Sequence, residues 1–185
     1  GLGDVYKRQS NNLFDAIRGP SNFIQSDTNA ADGTAATYLT SFDTNGFSMG
    51  AADYATSNDL VNWCWDAGTT AATASTDGSI TPSAQRVNNT VGLSISTFTG
   101  TGANATIGHG LSVKPDFVMI KNRQTSSQSW ACWHNSLTTP GTGYLELDND
   151  STEANHATWW NSTAPTNTVV SLGTATQSNN DATML

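Results

Sequence analysis

The chain has 185 residues, only 12% of them charged, with 7 Lys and Arg against 15 Asp and Glu and a formal charge of −8. So few basic residues exclude nucleic acid as a partner, because neutralising phosphates needs clustered cations, and no run of about 18 apolar residues is present to span a membrane as a helix. Thr, Ser, Asn and Gly dominate the rest, and 6 Trp, 6 Phe and 4 Tyr supply core volume, so an all-β fold with polar turns is expected.

In chain order, residues 1–9, Gly1 to Gln9 (GLGDVYKRQ), do not match the rest of the chain in composition. They resemble a translated transposase sequencing adaptor and are expected to lie outside the fold, with the reading frame cut there. From Ser10 short strands alternate with turns. Leu13-Phe14 and Phe23-Ile24-Gln25 read as strands on either side of the Arg18-Gly19-Pro20 turn. Residues 27–36 form a small-residue loop. Asp43-Thr44-Asn45-Gly46 is a turn whose Asn-Gly favours positive φ, and Phe47-Ser48-Met49 alternates as a half-buried strand. Val61-Asn62-Trp63-Cys64-Trp65 also alternates, which places Val61, Trp63 and Trp65 on one strand face and Asn62 and Cys64 on the other.

Residues 69–77 read as a connector. Residues 92–98 carry the clearest period-2 run and lead into residues 96–123, the most strongly patterned stretch. It contains a Gly/Thr/Asn turn, a corner at Ile107-Gly108-His109-Gly110-Leu111, and the apolar run Phe117-Val118-Met119-Ile120. That run is expected to be buried core, surfacing at Lys121-Asn122-Arg123. Residues 130–133 and 144–147 read as strands around a turn at 140–143. Residues 148–155 form an acidic loop, Trp159-Trp160 is an aromatic pair, and residues 168–172 are a strand.

An internal repeat runs through this pattern at an offset of about 121 residues, the distance from Phe23 to Tyr144. Phe23-Ile24-Gln25-Ser26-Asp27 aligns with Tyr144-Leu145-Glu146-Leu147-Asp148, and Ala36-Thr37-Tyr38-Leu39-Thr40-Ser41 with Ala157-Thr158-Trp159-Trp160-Asn161-Ser162. After two single insertions, Thr44-Asn45 matches Thr166-Asn167 and Phe47-Ser48-Met49-Gly50 matches Val170-Ser171-Leu172-Gly173. Ser57-Asn58 then meets Ser178-Asn179. The expected organisation is about one and a half units. Residues 10–70 are the C-terminal half of one, 71–77 a linker, and 78–185 a nearly complete β-sandwich truncated at its end.

Candidate chemistry is sparse. His109 between two glycines is expected to shape a tight corner, since no acid and nucleophile accompany it in the pattern a catalytic base needs. It is also retained as a ligand-binding candidate. His134 and His156 are expected to be isolated and exposed. Asp148, Asp150 and Glu153 offer oxygen ligands for calcium, but the loop lacks the glycine and length of an EF-hand. Trp159 and Trp160, adjacent in a strand, would face opposite ways, leaving one as a sugar-stacking platform. Cys64 and Cys132, each flanked by aromatics, are expected to be buried thiols rather than a disulfide, and their spacing makes no zinc motif. No phosphate loop, dinucleotide fingerprint or acid pair is recognisable, so no cofactor and no catalytic residues are expected.

Several of these segments resemble a β-rich domain of unknown function that recurs in tail-fibre and virion structural proteins of marine bacteriophages. They are Phe98-Thr99-Gly100-Thr101-Gly102, Ile107-Gly108-His109-Gly110-Leu111, Lys114-Pro115-Asp116-Phe117, Ile120-Lys121-Asn122-Arg123, and Trp130 with Trp133-His134. The aromatic-Cys-aromatic segment at Trp63-Cys64-Trp65 and the Gly-Phe-Ser type of strand at Gly46-Phe47-Ser48 and Gly92-Leu93-Ser94 fit the same family. The resemblance covers residues 13–185, departing at Ser112, where a further Gly is common. It implies a jelly-roll-like, concanavalin-type antiparallel sandwich in a self-associating, trimeric fibre of a phage tail. The expected role is non-enzymatic, structural or adhesive, with host-surface carbohydrate as a partner. The alternative is a carbohydrate-binding module or adhesin domain of a secreted bacterial protein.

Overall fold

The computed structural model describes residues 10–51, 60–68, 72–180 and 182–185. Within them the fold is mainly antiparallel β-structure. Strands β1 (Asn12–Asp15), β2 (Gly19–Gln25) and β3 (Gly33–Thr34) form a three-stranded sheet, and β4 (Leu39–Asp43) pairs with β5 (Gly46–Met49). Next come β6 (Ala84–Asn88), β7 (Leu93–Thr99), β8 (Ala105–Gly108) and β9 (Phe117–Ile120), then β10 (Ala131–His134), β11 (Gly143–Glu146) and β12 (Ala154–Asn155). The single-turn helix α1 (Ala157–Trp160), strand β13 (Val169–Leu172), helix α2 (Thr176–Asn179) and strand β14 (Thr183–Met184) complete the chain. The later strands pair in the orders β12-β11-β10-β9, β13-β8 and β14-β7-β6. No helix among the described residues is long and apolar enough to cross a membrane.

The main core gathers Ile80, Phe98, Ile107, Ile120, Trp133, Trp159, Trp160, Leu172 and Met184 from these separate pairings. A second cluster of Ile24, Trp130 and Cys132 joins the first part of the chain to the later part. There the Trp130 indole N–H donates to the Gln25 carbonyl at 3.0 Å. Nearby, the Arg123 guanidinium donates twice to one Asp32 carboxylate oxygen, at 2.9 and 2.7 Å. The 72–77 segment is tied down as well, with Ala72 and Ser75 N–H groups donating to the backbone and side chain of Gln85.

The two parts of the chain share local geometry. In β2–β3, Asn22 faces Thr34 and Phe23 faces Gly33. In β11–β12, Gly143 faces Asn155 and Tyr144 faces Ala154, each 121 positions on. The loop bond from Ala35 N–H to Ser21 O has its counterpart from His156 N–H to Thr142 O. Likewise Tyr38 N–H to Ala35 O matches Trp159 N–H to His156 O. Rings Phe23 and Tyr38 pack at 5.2 Å, and Tyr144 stacks on Trp159 at 3.7 Å.

Four expectations are corrected. Trp159 and Trp160 lie in α1, not in a strand. A helix advances about 100° per residue, so neighbours share a side, whereas a strand turns 180°; both indoles therefore point into the core. Residues 61–65 form no strand and are exposed, Cys64 with them. The 117–120 run is only half buried: Phe117 and Met119 face outward while Ile120 is buried. Successive side chains of a strand alternate between faces, and here only the face of Val118 and Ile120 packs against the core. Lys121 and Asn122 do not surface there, because Leu185 exchanges backbone bonds with Lys121 in both directions and covers them. Residues 1–9 lie outside the described residues.

Candidate functional site

The corner at residues 107–111 is built by its glycines. A Cβ at Gly108 would meet the Ser75 hydroxyl at 2.2 Å, and Gly110 has φ +71, a left-handed conformation open to glycine. His109 between them is buried. Its Nδ1 accepts from the Leu111 N–H at 3.1 Å, which assigns the proton to Nε2, facing the Thr166 carbonyl at 3.3 Å. Burial lowers its pKa, against the Thr166 bond and the Asp77 charge, which act the other way. The ring is neutral at pH 7 with both nitrogens engaged. Among the described residues its ring bonds go to backbone groups, the Leu111 N–H and the Thr166 carbonyl.

His109 borders a shallow hollow of ≈ 90 Å³ where β7, β8, β9 and β13 meet. Phe98, Ile107, Ile120, Val170 and Leu185 line it, and Ser94 and Ser96 supply hydroxyls.

The other candidates are dispersed. Trp160 is fully buried, and its indole N–H donates to the Gly143 carbonyl at 2.9 Å. Trp159 is stacked beneath Tyr144. Neither offers a face to a sugar. The exposed tryptophans are instead Trp63 and Trp65, at 77% and 68%. Asp148 accepts the Trp130 backbone N–H at 2.8 Å, and Glu153 accepts the backbone N–H and hydroxyl of Thr138. Asp150 is exposed. Among the described residues no group of three or more His, Cys, Asp or Glu converges as a metal site. His134 and His156 are exposed as expected, and His156 caps α1 through its Nδ1. Cys132 is buried, and its thiol is pushed up to about 12, chiefly by desolvation.

Lys121, expected at the surface, and Gln85 are among several buried polar groups. Lys121 donates through Nζ to the Gln128 carbonyl and lies over the Trp130 ring at 5.9 Å. Gln85 bonds to Ser96, Gly108 and Ser75 across three segments. An alternating strand pattern, as in Ala84–Asn88, assigns faces but does not say which polar side chain will be enclosed.

Residues 4–185 match the family described as Domain of unknown function (DUF7483), and the chain belongs to it. No curated protein and no solved structure gives a match.

Proposed function

We propose that this member of the DUF7483 family is a non-enzymatic structural module of a phage virion. It serves as a tail-fibre or tail-associated protein built from repeated β units, each a jelly-roll-like sandwich. The observation that carries the reading is the shared register: Asn22–Thr34 and Phe23–Gly33 recur as Gly143–Asn155 and Tyr144–Ala154. A second copy of one hairpin, with its loop bonds and ring pair, is what a duplicated unit leaves behind. Fibres are assembled from such units, and the proposed module self-associates as a trimer with a structural or host-adhesive role.

Two further observations support a scaffold. The carboxylates near the expected sites hold loops together, and the indoles of Trp159 and Trp160 are spent on the core. A carbohydrate-binding module uses an exposed aromatic platform; Trp159 and Trp160 are buried, and the exposed indoles are those of Trp63 and Trp65.

The test is immunogold electron microscopy of a phage encoding a protein of this family, with light scattering of the purified protein and a glycan array beside it. Label on the tail and a mass three times the 19.4 kDa chain are expected. Virions without label would overturn the reading. Glycan binding by unlabelled, monomeric protein would favour the secreted carbohydrate-binding alternative.

A further inference from the structure

Met184 is fully buried because the chain end runs between two neighbours. On one side β14 pairs with β7, Thr183 opposite Thr99 and Met184 opposite Phe98. On the other it lies against the end of β9. Lys121 and Leu185 exchange N–H···O bonds at 2.9 and 3.0 Å, Arg123 N–H donates to Thr183 O at 3.0 Å, and Asn122 bridges Met184. The positions 121 residues earlier are Asn62, Trp63 and Cys64. Among the described residues these have neither neighbour, and the surrounding apolar side chains are open to solvent: Val61 at 81%, Trp63 at 77% and Trp65 at 68%. Three large apolar side chains within five residues mark an interaction surface more than scattered surface hydrophobes do, and unpaired backbone is a template for added strands.

We propose that residues 61–65 are a docking strand for a β element patterned like residues 78–123. Trp63 takes the place of Met184 between counterparts of Phe98 and Asn122, and Cys64 stands opposite a counterpart of Lys121. The proposal rests on the repeat reading. The partner is an additional unit of this same β type, not a plain second copy of the chain. In each copy the β7 and β9 edges are already occupied by residues 183–185, so a simple dimer has no free pair of edges to give. Docking converts an exposed aromatic segment into an inner strand and joins consecutive units through main-chain bonds.

The experiment fuses a second copy of residues 78–123, through a flexible linker, ahead of the full chain, and monitors amide hydrogen exchange and tryptophan emission. Docking slows exchange at residues 61–65 by about 100-fold or more and shifts the emission of Trp63 and Trp65 to the blue. A residue pair that exchanges both hydrogen bonds lies about 5.5 Å apart at Cα, within disulfide range. Lys121→Cys in the added copy is therefore expected to form a disulfide with Cys64, while Asn122→Cys is not. An added segment that stays unfolded, or that folds while residues 61–65 exchange as before, overturns the proposal. The same data judge the repeat reading separately, through the amides of Ala35, Tyr38 and Gly50. Free exchange there, against protected His156, Trp159 and Gly173, sinks the repeat. Protection there with free exchange at 61–65 in the fusion sinks only the docking.

Discussion

Gly173→Ala is a severe small change for this fold. Gly173 N–H donates to the Trp159 carbonyl at 3.0 Å, which holds the start of the 173–175 segment against α1. A Cβ at that position would lie 2.0 Å from the Thr158 oxygen, 2.4 Å from its carbonyl carbon and 2.9 Å from its Cα. All three are backbone atoms. Thr158 cannot swing away, because its carbonyl also accepts from Ala175 N–H at 2.9 Å and its residue sits in the turn that buries both tryptophans. Relief requires moving the β13 end or α1 off the core, so the cost belongs at the top of the overpacking range, about 3 kcal/mol. That is roughly a 100-fold loss in the folding equilibrium and about 6–12 °C in Tm for a chain of this size. Differential scanning calorimetry measures it. Gly50 is crowded in a similar way, with a Cβ 2.5 Å from the Thr37 oxygen, so Gly50→Ala is expected to destabilise the first part of the chain likewise. Gly46→Ala, with nothing within 4 Å, is the control and should stay within about 0.5 kcal/mol. A Gly173→Ala protein melting within about 1 °C of the control would refute the reasoning.

Three other outcomes are expected. Thiol titration should find one reactive cysteine in the native protein and two in denaturant, because Cys64 is exposed whereas the Cys132 thiol is buried and raised to about 12; two fast thiols in the native state would contradict the packing of Trp130 and Ile24 over Cys132. Trp160→Phe removes the bond to the Gly143 carbonyl, leaving a buried acceptor without its partner, and should cost about 1–3 kcal/mol in urea unfolding. For His109, the folded pKa lies below 6.5, so the unfolded chain takes up the proton first. Its contribution is present in full above pH 6.5 and is lost as pH falls from there toward the folded value. His109→Asn, which keeps an acceptor for the Leu111 N–H, should flatten that part of the stability profile, and an unchanged profile would refute the burial argument.

Turn chemistry and alternation carried much of the fold. The turn at Asn45-Gly46 lies at the β4–β5 connection, although neither residue takes the positive φ that the pair favours; the alternating run became β7, and the glycines flanking His109 made a corner for reasons visible in their lack of a side chain. Phe23 and Tyr144 both lie in strands, Phe23 opposite Gly33 and Tyr144 opposite Ala154. The site candidates were less legible. Two adjacent tryptophans read as one in and one out, and the one-turn helix that puts both inside is set by the His156 cap and the Gly173 contact, neither of which a strand pattern contains.

What the amino-acid sequence determined by itself is local. Scarce charge, abundant Thr and Asn, and period-2 apolar spacing specify short antiparallel strands, because those preferences act between neighbours in the chain. What only the tertiary structure decided is which strands have company. Met184 is fully buried, and Trp63, 121 residues earlier, is 77% exposed. The difference lies in β7 and the end of β9, some 60–85 residues from Met184. Lys121 is enclosed and Phe117 exposed for the same reason. Burial belongs to the partner across the sheet, and no pattern within a strand states whether that partner is there.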